Sequence, residues 1–205
     1  MELNKTHISR LETFLEMIKC ETYPEPPAEP HLSITRKMFD YFTGKYHLAS
    51  GSKILDVGCG QGLAMALFME NDFDPIGIAL NRHDVIACQE KGYDVYEMDQ
   101  SFLDFENETF DFIWCRHCLE HSIFPFFTLS EFFRILKPGG YLYVEVPAPD
   151  TACRHQGNIN HYSVLGKSMW TELIKRSGFE ILDVLDIAFK VPAGPDMYWA
   201  FIQRK

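Results

Sequence analysis

The sequence of 205 residues has no long apolar run, no cysteine framework and no cluster of basic residues. No apolar stretch approaches the ~20 residues of a membrane span, which argues against an integral membrane protein. The six cysteines are scattered and the charged N-terminus does not resemble a signal peptide, so we expect reduced thiols in a cytoplasmic protein. The net charge of -10 argues against long nucleic acid as a partner and favours a small molecule or a cationic cofactor. Nothing in the sequence specifies an oligomeric state.

Two helical patterns flank a proline-rich stretch near the N-terminus. Apolar residues recur at helical spacing over residues 6–20, where Thr6 is a candidate cap, and again in "SITRKMFDYF" (33–42). The intervening "YPEPPAEP" is incompatible with a helix or a central strand. We therefore predict a lid over residues 1–45 and one larger domain over residues 46–205.

From residue 53 onward, short apolar strands alternate with amphipathic helices. The predicted strands are KILDVG, DPIGIAL, YDVYEM, TFDFIWC, YLYVEVP, FEILDVLDI and MYWAFIQRK. The predicted helices between them are LAMALFMEN, RHDVIACQEKG, FTLSEFFRILKPGG and LGKSMWTELIKRSG. Strands separated by helices of about ten residues indicate parallel pairing, so we predict an α/β fold with a doubly wound sheet.

A glycine-rich turn follows the first of these strands. "ILDVGCGQG" (54–62) reads as strand, turn and helix, which directs backbone N–H groups and a helix N-terminus at a bound anionic group. The third glycine arrives one residue earlier than in the dinucleotide fingerprint G-x-G-x-x-G. The loop alone also suits a tight turn in any α/β protein.

The segment "HCLEH" (117–121) follows the fourth strand and matches the H-x-x-E-H signature of zinc peptidases. A peptidase needs a stable helix there, and Pro125 limits any helix to a turn or two. We set that interpretation aside.

Taken together, these motifs resemble the class I S-adenosylmethionine (SAM)-dependent methyltransferases, from about residue 34 to the end. "ILDVGCGQG" resembles their motif I, and "MDQSFLDFENETFDFIW" resembles the segment leading to motif IV. "LEH", "RILKPGGYLYVEVP", "LIKRSGFEILDV" and "MYWAFIQRK" resemble the elements that follow. The resemblance implies a Rossmann-like sheet of seven strands, mostly parallel with an antiparallel last strand, and N-terminal helices in addition.

The resemblance also implies a SAM site at the glycine loop. Asp56 and the backbone of Gly58, Cys59 and Gly60 would hold the methionine end, while Asp99 and Gln100 would bracket adenine. The family usually places an acid after the second strand to bind ribose, but Ala79 occupies that position. Asn81 and Asp84 are the replacements we consider. All four polar candidates also suit a second interpretation, as residues that cap a helix or start a loop.

Two interpretations of HCLEH remain. The first is a structural signature in which Glu120 and His121 fix a loop. In the second, one helical turn places His117, Glu120 and His121 on one face as metal ligands, with His161 from "RHQGNINHYS" as a fourth and His155 nearby. The set partly resembles the Glu-x-x-Glu-His metal motif of ubiquinone-biosynthesis and small-RNA O-methyltransferases. Imidazole in place of carboxylate favours Zn, Fe, Mn or Ni.

The sequence thus predicts a SAM-dependent methyltransferase acting on a small molecule, at oxygen. His121 or His161 would serve as general base if no metal is bound. The aromatic run "IFPFF" (123–127) either walls an apolar acceptor or, as the pattern favours, packs in the core. The alternatives are a metal-dependent RNA 2'-O-methyltransferase, a SAM-binding protein without transferase activity and, more remotely, an NAD reductase.

Overall fold

The computed structural model describes residues 3–24 and 26–205, and Met1, Glu2 and Glu25 of the predicted lid lie outside the described residues. The chain forms one seven-stranded sheet in the order β3-β2-β1-β4-β5-β7-β6. Its strands are β1 Lys53–Val57, β2 Asp74–Ala79, β3 Val95–Glu97, β4 Phe110–Arg116, β5 Leu136–Pro147, β6 Glu180–Val191 and β7 Gly194–Arg204. The helices are α1 Lys5–Cys20, α2 His31–Lys45, α3 Leu63–Glu70, α4 Arg82–Glu90, α5 Pro125–Ile135 and α6 Lys167–Arg176. Two 3-10 turns, Leu119–His121 and His155–Gly157, follow β4 and β5.

The strand directions confirm the predicted α/β doubly wound sheet. Strands β1 to β5 pair in parallel, and β7 runs antiparallel between β5 and β6. The chain moves outward from β1 to β2 and β3, and then returns to place β4 on the other side of β1. Ligands of such sheets bind where the strand order reverses, at the carboxyl ends of the strands. In this protein that crevice lies between the ends of β1 and β4.

Alternate residues of the central strands pack into two apolar clusters, one on each face of the sheet. Leu55 and Ile113 lie in the cluster that includes Phe132 of α5. Ile54 and Phe112 lie in the other cluster, which includes Phe42 of α2. Because side chains alternate along a strand, the continuous apolar runs cover both faces and fix the sheet between two layers of helices.

Two predicted helix ends are corrected by the structure. Asn4 rather than Thr6 caps α1, and its side chain accepts a hydrogen bond from the backbone N–H of His7 at 3.0 Å. Helix α5 ends at Ile135, before the predicted KPGG terminus, because Leu136 is extended and pairs with Phe110 of β4. Pro138 contributes, since a proline disfavours helical backbone at the residue before it.

The aromatic run at the start of α5 does not pack in the core, so that expectation is wrong. Phe124, Phe126 and Phe127 are 37%, 49% and 44% exposed. The buried face of α5 is formed instead by Leu129 and Phe132, further along the helix.

The two N-terminal helices have different environments. Helix α2 buries Ile34, Met38 and Phe42 against the sheet. Helix α1 has one buried residue, Ile18, and crosses the carboxyl ends of the strands. None of the helices within residues 3–24 and 26–205 combines the length and apolar composition needed to cross a bilayer.

Candidate active site

The glycine loop after β1 brings the backbone into direct contact with the HCLEH segment. Gly58 has a φ of 70°, and the backbone N–H groups of Gly58 and Cys59 both donate to the carbonyl of Ile78. A Cβ at Gly58 would lie 2.6 Å from Sγ of Cys118. Glycine is therefore required here both by the backbone conformation and by the close approach of Cys118.

A cavity of about 920 Å³, including its open mouth, lies over the carboxyl ends of β1, β2, β3 and β4. This position is the ligand site of doubly wound sheets. Its lining includes six of the predicted cofactor residues: Gly58, Gly60, Asn81, Asp84, Asp99 and Gln100. His117 and His121 also line it, on the side of β4.

The two ribose candidates both line the cavity and have structural roles. Asn81 caps α4 by accepting from the backbone N–H of His83 at 3.0 Å, and its amide donates to Oγ1 of Thr22 at 3.3 Å. Asp84 is buried and accepts a hydrogen bond from Gln61 at 3.2 Å. Ala79 lines the cavity at the end of β2, the position where the resemblance to the methyltransferases implies an acid.

The two adenine candidates lie side by side after β3. The carboxylate of Asp99 accepts from the backbone N–H of Ser101 at 2.7 Å, as expected for a loop start. The amide nitrogen of Gln100 donates to the carbonyl of Cys118 at 2.8 Å, which leaves its buried Oε1 without a protein partner. Because buried polar atoms are nearly always hydrogen-bonded, this oxygen suits a donor on a bound ligand.

Asp56 and Cys59 line a second cavity, which shares Gly58, Gly60 and His117 with the first. Burial raises the pKa of the Asp56 carboxyl to about 7, although the nearby Arg116 charge opposes that rise. Its Oδ2 has no hydrogen-bond partner, and the buried Nη2 of Arg116 has none either. The second cavity is therefore lined by one acidic and one basic side chain, which suits a zwitterionic ligand.

A buried ionic cluster joins the ends of β4 and β5. Glu145 lies 3.0 Å from Arg116, accepts from Nε2 of His117 at 2.7 Å and accepts from the hydroxyl of Tyr143 at 2.5 Å. Burial alone would raise the pKa of Glu145, but these partners outweigh it and lower that pKa to about 2. Burial and the Arg116 charge lower the pKa of His117 to about 3. His117 is therefore neutral. It is hydrogen-bonded to Glu145, and its ring stacks on that of Tyr198 with centroids 4.0 Å apart.

The predicted grouping of four ligands around HCLEH is wrong for His117. The 3-10 turn spans only Leu119–His121, and His117 has a left-handed φ of 52° that turns its side chain toward Glu145. Candidate ligand atoms of Glu120, His121 and His161 do come together, all within 4.8 Å of one another. The sequence analysis had named these three residues as candidate ligands. The fourth candidate, His117, does not join them because of its left-handed backbone.

His121 presents a defined tautomer to the first cavity. Its Nδ1 lies 2.8 Å from the carbonyl oxygen of Asn160, and a carbonyl can only accept. Nδ1 therefore carries the hydrogen and Nε2 carries the lone pair. Burial lowers the pKa of His121, so the ring is neutral at neutral pH. His161 packs edge-on against it at 4.7 Å, and burial lowers the pKa of His161 to about 4.

Helix α1 and the residues that follow it cover the first cavity. Leu15, Ile18, Thr22 and Tyr23 line it from above. The amide of Asn160 donates to the carbonyl of Glu21 at 2.8 Å, and Lys19 pairs with Glu97 at 2.5 Å. These contacts connect α1 to both sides of the crevice.

Sequence reasoning missed Arg116, Glu145, Asn160 and Tyr198. A signal was available for Glu145, since it is the only charged residue in the apolar run YLYVEVP. Arg116 directly precedes HCLEH, so its position in the sequence gave an equally clear signal. Asn160 and Tyr198 carried no local signal, because their roles depend on contacts with distant parts of the chain.

Comparisons with known proteins give a family match over most of the chain. Residues 34–184 match the family described as a methyltransferase domain. The 27-O-demethylrifamycin SV methyltransferase of Amycolatopsis mediterranei is 28% identical over 128 residues, covering 56% of this chain and 47% of that enzyme. The chain therefore spans about half the length of that curated relative.

Two solved structures share the fold. The SAM-dependent methyltransferase from Archaeoglobus fulgidus has a TM-score of 0.70 and 21% identity, covering 86% of this chain and 94% of that one. The [4+2]-cyclase SpnF has a TM-score of 0.72 and 22% identity, covering 89% and 85%. At this level of identity, the likeness establishes the fold alone.

Proposed function

Because the chain belongs to the methyltransferase-domain family, we propose that it transfers a methyl group from SAM to an oxygen atom of a small-molecule acceptor. The observation that carries this proposal is the buried Oε1 of Gln100, which has no hydrogen-bond partner, beside a cavity at the carboxyl ends of the parallel strands. That position is the ligand site of doubly wound sheets.

The polar groups around Gly58 match the parts of SAM. Gln100 Oε1 would accept from the adenine amine, while Asn81 and Asp84 would bind the ribose hydroxyls. On the other side of the glycine loop, Asp56 would hold the ammonium and Arg116 the carboxylate of the methionine end. When bound, SAM supplies a methyl group activated by its sulfonium charge.

The chain's own contribution to the reaction is orientation and proton removal. A hydroxyl acceptor must lose its proton as it is methylated, and a neutral imidazole is suited to take it. His121 lines the cavity with the Nε2 lone pair available, and Asn160 holds the ring in place. We assign His121 as the general base and His161 as the residue that packs behind it.

A second mechanism uses the same cluster as a metal site. Glu120, His121 and His161 provide two nitrogen ligands and one oxygen ligand within 4.8 Å, which suits Zn, Fe, Mn or Ni. A metal bound there would lower the pKa of an acceptor hydroxyl and orient it. This alternative excludes His121 as a free base, so metal content distinguishes the two.

We propose that helix α1, in the N-terminal segment 1–45 that the sequence predicts as a lid, covers the site. Leu15 and Ile18 cover the cavity, and α1 is held by the contacts of Lys19 and Glu21. A lid that excludes water strengthens electrostatic interactions inside the site and prevents loss of the activated group.

Two other functions remain testable. An RNA 2'-O-methyltransferase would need a basic groove, which the net charge of -10 disfavours. A SAM-binding protein with a different activity is compatible with the fold, since one structural neighbour is a cyclase.

The first experiment measures SAM binding by calorimetry and S-adenosylhomocysteine release with a panel of phenols and aliphatic alcohols. Gln100→Leu should weaken SAM binding by about 1–3 kcal/mol, because a buried donor of the ligand loses its partner. Gln156→Leu, in an exposed loop, is the matched control. Absence of SAM binding by the wild type would overturn the proposal. Tight SAM binding without turnover of any acceptor would favour the non-catalytic function.

A further inference from the structure

A thiol, an imidazole and a carboxylate meet behind the proposed acceptor site. Cys153 and His155 lie in the loop after β5, and Asp196 lies near the start of β7. Candidate ligand atoms of the three residues all lie within 4.8 Å of one another. His155 and Asp196 are buried, while Cys153 is half-buried. This group shares no residue with the Glu120, His121 and His161 cluster.

Backbone contacts hold the two halves of this group together. The N–H of Ala152 donates to the carbonyl of Pro195 at 3.2 Å, and the N–H of Ala148 donates to Met197 at 2.9 Å. Gly194 has a φ of 131°, and a Cβ there would lie 2.7 Å from Cβ of Ala152. The loop and the β6–β7 turn are therefore fixed in contact, and Nε2 of His155 donates to the carboxylate of Asp196 at 2.9 Å, so these two side chains lie together before any ligand arrives.

The donor set identifies the class of ligand. Sulfur, nitrogen and oxygen donors together suit a borderline transition metal, Zn²⁺ above all, and do not suit Mg²⁺ or Ca²⁺. Three protein ligands with an open fourth position form a common zinc arrangement, and the half-buried Cys153 gives water access to that position. We propose that Cys153, His155 and Asp196 form a transition-metal site, selective for Zn²⁺ over Mg²⁺, that fastens the loop after β5 to β7.

Such a metal would influence the neighbouring site through ring contacts. His155 stacks on His161 with centroids 5.7 Å apart and an interplanar angle of 13°. His161 packs against His121, and Asn160 in the same loop binds both His121 and Glu21. A metal that fixes this loop therefore also fixes the position of His121 and the contact with α1.

The test uses the full-length protein, stripped with a chelator and titrated with Co²⁺, which substitutes for Zn²⁺ and reports its ligands spectroscopically. We expect about one Co²⁺ per chain and a near-ultraviolet thiolate-to-metal charge-transfer band. Cys153→Ser should abolish the band. Asp196→Asn should weaken Co²⁺ binding at least about tenfold, because loss of a direct ligand should cost no less than loss of an outer-shell partner, which costs about 10–100-fold. Cys20→Ser and Glu120→Gln are matched controls that should keep the band. Absence of the band in the wild type, or its loss in Glu120→Gln alone, overturns the proposal.

A second measurement needs no variant and covers the case in which the substituted proteins fail to fold. Alkylation of the stripped wild type is followed by peptide mass spectrometry with and without Zn²⁺. Zn²⁺ should slow modification of Cys153 at least about tenfold, while the exposed Cys20 should react at an unchanged rate. Equal protection of both cysteines, or of neither, overturns the site. The readouts are independent of SAM binding and turnover, so failure here leaves the proposed transferase function unaffected.

Discussion

His121 donates its Nδ1 hydrogen to the carbonyl oxygen of Asn160 at 2.8 Å, and this bond connects the HCLEH segment to the loop after β5. The side chain of Asn160 in turn binds the carbonyl of Glu21 at the end of α1. One asparagine therefore couples the tautomer of the proposed base to the position of the proposed lid.

His121→Ala should lower turnover by about 10²–10⁴-fold and leave SAM affinity unchanged, because proton removal is lost while the cofactor contacts remain. The ratio of kcat values with a hydroxyl acceptor measures this. His83→Ala, an exposed residue at the start of α4, is the control. Burial lowers the pKa of His121, so wild-type activity should persist below pH 6.5 before the acid limb appears. An acid limb centred above pH 6.5 would contradict the assignment.

Gly58→Ala and Gly51→Ala form a matched pair of substitutions at positive φ. Both place an alanine in the left-handed backbone region, which should lower the free energy of unfolding by about 1–2 kcal/mol. Gly51 has nothing within 4 Å of an added Cβ, whereas at Gly58 that atom would meet Cys118 at 2.6 Å. We expect Gly58→Ala to lower the free energy of unfolding by at least about 1 kcal/mol more, since overpacking costs about 1–3 kcal/mol. Equal decreases in the free energy of unfolding, measured by urea titration, would mean that the Cys118 side chain moves aside without destabilising the protein.

Asp56→Asn should stabilise the ligand-free protein at pH 8 and have little effect near pH 3. Burial raises the folded pKa of Asp56 to about 7 from an ordinary 3.8. Its contribution to folding is therefore fully present below about pH 3.8 and is lost as the pH rises through about 7. The expected gain at pH 8 is on the order of 1–3 kcal/mol by urea unfolding. The same variant should bind SAM more weakly, since the ligand's ammonium loses a carboxylate partner. Stabilisation without weaker binding would remove Asp56 from the cofactor site.

Leu15→Glu should weaken SAM binding by about tenfold or more, because it places a charge at the roof of the first cavity. Met17→Glu, on the exposed side of the same helix, should leave binding unchanged. Both variants should unfold at nearly the same urea concentration, since α1 buries only Ile18. Equal affinity of the two variants, measured by calorimetry, would show that α1 does not contribute to the bound state.

Much of the fold followed from local patterns. Alternation of short apolar runs with amphipathic helices predicted the doubly wound sheet, and the ends of the strands located the ligand crevice between Gly58 and HCLEH. Proline and glycine signals predicted most boundaries, but not the end of α5, where pairing of Leu136 with Phe110 overrode the helical pattern. A sheet contact from 26 residues away cannot be seen in the local sequence.

The candidate site was predicted less completely. Helical spacing places residues on one face only if the segment is helical. His117 lies outside the cluster because its backbone is left-handed and its side chain is hydrogen-bonded to Glu145. The aromatic run at 123–127 was misjudged because apolar character does not specify burial. Asn160 and Tyr198 act through partners distant in sequence, so their roles emerged only from the folded structure.

Because β7 pairs antiparallel with β5, the residues around this site come together in a definite order during synthesis. Tyr198 pairs with Pro147, so the first residues of β7 lie beside the carboxyl end of β5 although they are synthesised 51 residues later. A nascent chain on the ribosome therefore carries the glycine loop and HCLEH well before Asp196 and Tyr198 emerge. Because closing such distant contacts is slow, the stacking of Tyr198 on His117 should form well after the glycine loop and HCLEH have been synthesised.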